Sequence, residues 1–319
     1  MGQMSEEAKR KISEAFARRR AERGLDDNGK PIIPTELKNK PVTVRMEDVN
    51  FDPKIFEIMK TGKPVDMLLS SKGGLTRATN FMVVGDPGVG KSTVTMDILA
   101  DLQKDARKVL FISGEMDRFD LFDYVQRYPK FGKIDTIFMG EYLDENPKLV
   151  VEEMLSAGYD VVLLDSFVEI QDTVKNALGL STGEAEKWLL NLMKSHNAAN
   201  NEGKIYTSFL CIQQVNKGGS FVGSNRIKHM ISGMAELRFD EDGNRYMEFV
   251  KNRRGEVHKK LYYSLKESGD VHYDEIRFSL DESARKVVDA EKNRLKDEDK
   301  DWGKAFGEFV TPDGSEEDN

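Results

Sequence analysis

Residues Asn80–Thr93 read NFMVVGDPGVGKST, and this stretch decides the fold. The apolar run Phe81–Val84 leads into Gly85–Thr93, which fits G-x-x-x-x-G-K-[ST] at every fixed position. Glycines let successive backbone N–H groups curl around phosphate oxygens. A helix starting there adds its positive dipole end. The expected cradle is Gly85, Asp86, Pro87, Gly88, Val89, Gly90, Lys91, Ser92 and Thr93. Lys91 brings a point charge to the terminal phosphates of ATP, and Ser92 the hydroxyl expected on Mg²⁺. A chance glycine-rich turn is the plainer alternative. The strand pattern before it and the helical pattern after it argue against that.

Outward from the loop, apolar strands alternate with amphipathic helices. NFMVV, KVLFIS, IDTIFM, DVVLLD and YTSFLCIQ read as strands. Ser92–Lys104, Pro147–Ala157 and Gly183–Asn200 read as helices. Continuous apolar strands separated by helices predict an α/β fold whose mostly parallel central sheet has helices on both faces. After Gly233 the rhythm changes. MAELRFD, RYMEFVK, KKLYYSL and VHYDEIRF follow closely, joined by turns such as EDGN. These predict C-terminal antiparallel strands at one edge.

A phosphate loop needs partners. Asp165 ends the strand DVVLLD, where ligands gather in open α/β sheets, and a carboxylate there holds Mg²⁺ through water. An ordinary strand-ending Asp is the alternative. Glu115 follows the strand KVLFIS by two residues. If that strand neighbours the phosphate-loop strand, Glu115 overlooks the γ-phosphate and is the candidate base; otherwise it is a solvent-facing loop Glu. Gln213 and Gln214 end another strand and alternate in facing, so one of them points into the site.

The 319 residues are 39% hydrophobic and 33% charged, enough for one large or two ordinary domains. No apolar run reaches the length of a membrane span, and the N-terminus lacks the apolar core of a signal peptide. The single cysteine, Cys211, excludes an internal disulfide or a cysteine-based zinc site. A cytoplasmic setting is expected. The net charge of −8 does not advertise nucleic-acid binding, so such a role must rest on local clusters.

Charge is unevenly placed. SEEAKRKISEAFARRRAERG, residues 5–24, reads as a basic helix with a narrow stripe of Ala8, Ile12 and Phe16, followed by a linker. From about Asp289 the chain turns acidic and is expected to be disordered. The expected organisation is a basic helix and linker at 1–44, a core at 45–288 and an acidic tail at 289–319. The tail, with Trp302, Phe306 and Phe309, reads either as a hook for a protein partner or as a solubilising segment.

The order GDPGVGKST, SGE, VVLLDS, a strand ending in Gln before a glycine-rich loop, and KNRRG resembles the core of the RecA superfamily. It is closest to the RadA/Sms branch and DnaB-type hexameric helicases. DPGVGKST, ISGE, VGSNRIKHMISGMAELRFD and KNRRG are similar to RadA, over roughly residues 45–280. The resemblance implies a RecA-like ATPase that forms a ring or filament on single-stranded DNA. It implies Glu115 as catalytic glutamate, Asp165 as Walker B aspartate and Gln214 as γ-phosphate sensor. Lys251 and Arg253 match a K-x-R segment that reaches a neighbouring protomer's ATP. Arg254 replaces the family's aromatic, which leaves its role open. DNA contact is implied for the loops after Asp165 and Gln214, QDTVKNALGLSTGEAE and NKGGSFVGSNRIKH, with Lys217, Arg226 and Lys228; Phe221 is a weaker candidate. The N-terminal helix resembles a short DNA-binding repeat attached to phage-type homing nucleases. The flanking domains of RadA and DnaB do not fit in this length, which suits a phage-encoded core. Three functions follow as expectations: a helicase or translocase in recombination, branch migration or replication; a filament-forming strand-exchange recombinase; or a regulatory ATPase switch controlling partner binding.

Overall fold

The strands formed around the phosphate loop are fully buried because both faces of the sheet are covered. A computed structural model describes residues 6–22, 42–104, 106–198, 205–214, 224–265 and 269–307. Two compact units divide at Phe51/Asp52. In the first, α1 (Glu6–Glu22) carries the i,i+4 pairs Lys11–Glu7 at 3.1 Å and Arg10–Glu14 at 3.4 Å, with Phe16 exposed. Ser5 and Gly24, read as its ends, lie outside the described residues.

The second unit begins with a two-residue ladder of β1 (Ile58–Met59) and β2 (Leu75–Thr76), which flank α2 (Asp66–Leu69). Then come β3 (Asn80–Gly85), α3 (Lys91–Lys104), β4 (Val109–Ser113), α4 (Arg118–Arg127), β5 (Asp135–Phe138), α5 (Pro147–Ser156) and β6 (Val161–Asp165). They are followed by α6 (Phe167–Leu178), α7 (Thr182–Ala198), β7 (Ser208–Ile212), α8 (Asn225–Met230) and β8 (Gly233–Phe239). The chain continues through β9 (Arg245–Asn252), β10 (Leu261–Leu265), β11 (Val271–Tyr273) and α9 (Glu275–Gly307). Among the described residues the main sheet has the order β11-β10-β9-β8-β3-β7-β6-β4-β5. It is parallel from β8 to β5, and β9, β10 and β11 add antiparallel strands at one edge. The expected architecture is present, with one refinement: β8, the first strand after the change of rhythm, runs parallel to β3.

Successive residues of β3 face opposite layers. Phe81 and Val83 join Val94, Ile98 and Leu99 of α3; Met82 and Val84 join Phe167 and Ile170 of α6 and Leu189 of α7. Each fully buried side chain of this size contributes about 1.5–3 kcal/mol. This two-sided burial is why the strand reads as a continuous apolar run.

Three expectations change. The segment after Asp165, read as a polar flexible loop, is helical. Ser166 caps α6, Phe167, Ile170, Gln171 and Val174 form a buried stripe at helical spacing, and left-handed Gly179 ends it. The segment VHYDEIRF is strand only over Val271–Tyr273. Asp274 then accepts from Arg277 N at 2.9 Å, and α9 begins, burying Phe278. That helix runs to Gly307, through much of the segment expected to be disordered, where Arg294–Glu291 at 2.5 Å adds i,i+3 support.

Under β11, Asp97 and Asp101 of α3 are buried together with Asp270 nearby. Two ammonium groups fill the space between them: Lys63 lies 2.7 Å from Asp97 and 2.8 Å from Asp101, and Lys130 2.6 Å from Asp270 and 3.0 Å from Asp101. Burial opposes the charge of Lys130, but its hydrogen bonds to Asp270 and Asp97 raise it well above the usual lysine range. Lys130→Met leaves buried carboxylates short of a partner. It should cost about 3–5 kcal/mol in urea unfolding, and a loss below 1 kcal/mol would show that Lys63 alone neutralises the cluster.

Candidate active site

The phosphate loop is shaped by close backbone approach. A Cβ on Gly85 would stand 2.1 Å from the carbonyl oxygen of Leu237, so β3 and β8 admit only glycine there. Gly88 has φ +74°, in the left-handed region that glycine enters freely. α3 starts at Lys91, directly behind the loop.

The loop opens on a cleft of about 490 Å³ lined by Gly85, Pro87, Gly88, Lys91, Ser92 and Thr93, and also by Glu115, Asp165 and Gln214. Ser92 Oγ donates to Asp165 Oδ2 at 2.6 Å. The Lys91 ammonium donates to the carbonyls of Gly85 and Asp86 at 3.0 and 3.1 Å. Burial draws Lys91 below its usual range, against the attraction of Asp165 and Glu115. A hydroxyl beside a carboxylate, with a second carboxylate across the cleft, is a donor set of hard oxygens suited to Mg²⁺. The glycine-loop N–H groups and Lys91 suit a triphosphate.

Glu115 reaches this cleft by a route the sequence did not show. β4 does not neighbour β3; β7 and β6 lie between them. Instead β4 pairs with β6, Ser113 lies opposite Asp165, and Gly114 N and Glu115 N donate to the Asp165 carbonyl at 2.7 and 3.3 Å. Ser113 Oγ donates to Met116 O and accepts from Met116 N, which locks the turn. Gln214, two residues past the end of β7, donates its amide to Glu115 Oε1 at 3.0 Å. Gln213 faces a separate cavity with Gln171, Glu186 and Arg226. The alternating facing of the two glutamines is therefore resolved in favour of Gln214.

Burial pushes the Asp165 carboxyl up to about 6, with Glu115 adding to the effect and the Ser92 hydroxyl and Lys91 opposing it. A carboxyl raised on folding holds its proton more tightly in the native state, so the nucleotide-free protein should lose stability as pH rises from about 4 to about 6. Asp165→Asn should flatten that part of the pH–stability profile in thermal unfolding; an unchanged slope would put the titration elsewhere. Mg²⁺ binding needs the ionised form, so its affinity should fall on acidifying through the same range.

Lys251 and Arg253 are not in this cleft. Lys251 lies opposite Met234 and Asn252 opposite Gly233, whereas Leu237 is the β8 residue beside Gly85. Arg253 N bonds Ser232 O, and Ser232 N bonds Asn80 O. Arg253 thus stands about 17 Å from Gly85 measured along five strand residues. Of the DNA candidates, Arg226 and Lys228 are exposed on α8, a helix where a glycine-rich loop was expected. Lys217 and Phe221 lie outside the described residues.

Four residues went unread. Tyr124, Arg127 and Leu265 line the outer wall of the cleft, with the Arg127 guanidinium 4.8 Å from the Tyr124 ring centre. Arg238 of β8 pairs with Asp86 of the loop at 3.1 Å. The amphipathic run RFDLFDYVQR and a lone arginine inside an apolar strand were the available signals.

No family model matches the chain. It is 25% identical over 223 residues to the DNA repair protein RadA of Helicobacter pylori strain J99, covering 68% of this chain and 46% of the relative. RadA of Listeria monocytogenes is 25% identical over 202 residues, covering 62% and 42%. The chain has a RecA-like P-loop fold and is similar in sequence to RadA. Its RecA-like fold also superposes on the flagellar accessory protein FlaH of Methanocaldococcus jannaschii with a TM-score of 0.51 at 13% identity, covering 68% of this chain and 99% of that one. The chain spans less than half the length of these RadA proteins. Among the described residues, no helix of this RecA-type core or its flanks is long and apolar enough to cross a membrane.

Proposed function

We propose that the chain is an ATP-driven motor on single-stranded DNA, acting in recombination, branch migration or replication, with each ATP shared between two copies. One observation carries this reading. Lys251 and Arg253, which this reading assigns to phosphoryl transfer, stand at the opposite end of the sheet from the phosphate loop. In this reading the phosphate loop, Asp165, Glu115 and Gln214 are one half of the site and Lys251 and Arg253 the other, too distant to serve the same nucleotide.

In this reading Lys91 and the loop amides bind the phosphates of ATP. Ser92 and Asp165 would hold Mg²⁺, which would neutralise phosphate charge. Glu115 takes the proton of the attacking water. Gln214, bonded to Glu115 before ATP arrives, exchanges that acceptor for the γ-phosphate and so releases the base. Lys251 and Arg253 of a neighbouring copy stabilise charge on the transferring group. Assembly into a ring or filament follows, because an incomplete site turns over slowly. The net charge of −8 does not forbid DNA binding, since Arg226, Lys228 and Lys217 recur in every copy.

The test is ATP turnover with and without single-stranded DNA at constant salt. The motor reading expects stimulation that weakens as salt rises. No response at any salt assigns the ATPase to a switch for protein partners. Unwinding of a forked duplex then supports a helicase, and pairing of homologous strands a recombinase.

A further inference from the structure

The turn after β9 is held by main-chain bonds and by the Asn252 side chain. Arg253 N donates to Ser232 O at 2.9 Å, Ser71 N donates to Arg254 O at 2.9 Å, and the Asn252 amide donates to Leu68 O at 3.1 Å. The side chains of Lys251 and Arg253 are therefore not needed to fold it. They are used elsewhere. The Lys251 ammonium donates to Ile231 O at 3.0 Å and to Lys228 O, and the Arg253 guanidinium donates to His229 O at 2.8 Å.

Those carbonyls close α8. The last carbonyls of a helix lack partners within it and carry the negative end of its dipole, so two cations there are stabilising. α8 has six residues, buries only Ile227 and has no side-chain bond at its N-cap, because Ser224 Oγ donates to Glu186 instead. A helix this short does not support itself in water. The two cations thus add to the hold that buried Ile227 provides. Meanwhile, among the described residues neither cation has a carboxylate partner. Burial and the adjacent Arg253 draw Lys251 below its usual range. The pair is short of negative charge where it stands.

We infer that Lys251 and Arg253 have two alternative acceptors, the C-terminal carbonyls of α8 in their own copy and the terminal phosphates of ATP on a neighbouring copy, so that nucleotide at the interface releases α8. The inference rests on the shared-pocket reading. Phosphate oxygens are the stronger acceptors, since they add an opposite charge to a bond whose donor is already ionised. α8 carries Arg226 and Lys228, so its release changes how these residues are presented. Nucleotide state is then coupled to the DNA-facing helix within the copy that donates the cations.

Hydrogen exchange on the full chain tests this. Without nucleotide, Arg253→Ala should speed exchange at the amides of residues 227–231 about tenfold, and Arg253→Lys less. In the unsubstituted protein, a non-hydrolysable ATP analogue with Mg²⁺, at concentrations where copies assemble, should speed the same amides. Lys91→Ala should abolish that response. If Arg253→Ala does not fold, Lys251→Ala and Arg253→Lys carry the comparison. Unchanged exchange in the variants, or slower exchange on assembly, overturns the switch. Failure of the shared pocket itself shows separately, in the subunit-mixing turnover described in the Discussion.

Discussion

Glu115→Gln should lower ATP turnover by about 10²–10⁴-fold while leaving ATP and Mg²⁺ binding close to normal. The substitution keeps the size of the side chain and removes its basicity. Binding is retained because Lys91, Ser92 and Asp165 are untouched, and Ser92 and Asp165 still meet at 2.6 Å. The turn that aims residue 115 is held by main-chain bonds to Asp165, so the replacement does not move it. Gln214 can still donate to the new amide oxygen, as it does to Glu115 Oε1. Single-turnover measurements at saturating ATP separate the chemical step from binding. A loss confined to KM would assign Glu115 to nucleotide binding, and full turnover would remove it from the mechanism.

Arg253→Ala should lower turnover by about 10³–10⁵-fold, the effect of a cation supplied in trans, again with ATP bound. The decisive measurement mixes subunits. Lys91→Ala copies keep a sound Arg253 and lack a working phosphate loop; Arg253→Ala copies are the reverse. Neither should turn over alone. Random co-assembly pairs a sound loop with a sound Arg253 at about one quarter of interfaces, so a clear fraction of activity should return. No recovery in co-assembled protein would defeat the shared pocket. So would full activity of the unsubstituted chain at dilutions where it is monomeric.

The phosphate loop was legible because its chemistry is contiguous: backbone N–H groups, Lys91 and Ser92 follow one another along the chain. Strands β3, β4, β6 and β7 were legible because burial on both faces demands unbroken apolar runs, as in Phe81–Val84. Glu115 was a correct candidate for the cleft for an incomplete reason. It depends on β4 lying beside β6, which no local pattern encodes. α6 was misread because its buried stripe, Phe167, Ile170 and Val174, is diluted by the half-buried polar residues Glu169, Asp172 and Lys175. The start of α9 was misread because His272, Asp274 and Arg277 mimic a half-buried strand until Asp274 is seen to cap a helix.

By itself, the sequence determined the nucleotide loop, the class of fold and the inventory of charged groups, since each of these depends on neighbours in the chain. The tertiary structure decided which of those groups meet. It set Glu115 and Gln214 against Asp165, paired Arg238 with Asp86, and carried Lys251 and Arg253 to the far end of the sheet onto α8. The reason is that strands pair through backbone hydrogen bonds common to all residues. Their order is therefore chosen by how helices pack on both faces of the whole sheet, and distances across it are not written in any local stretch.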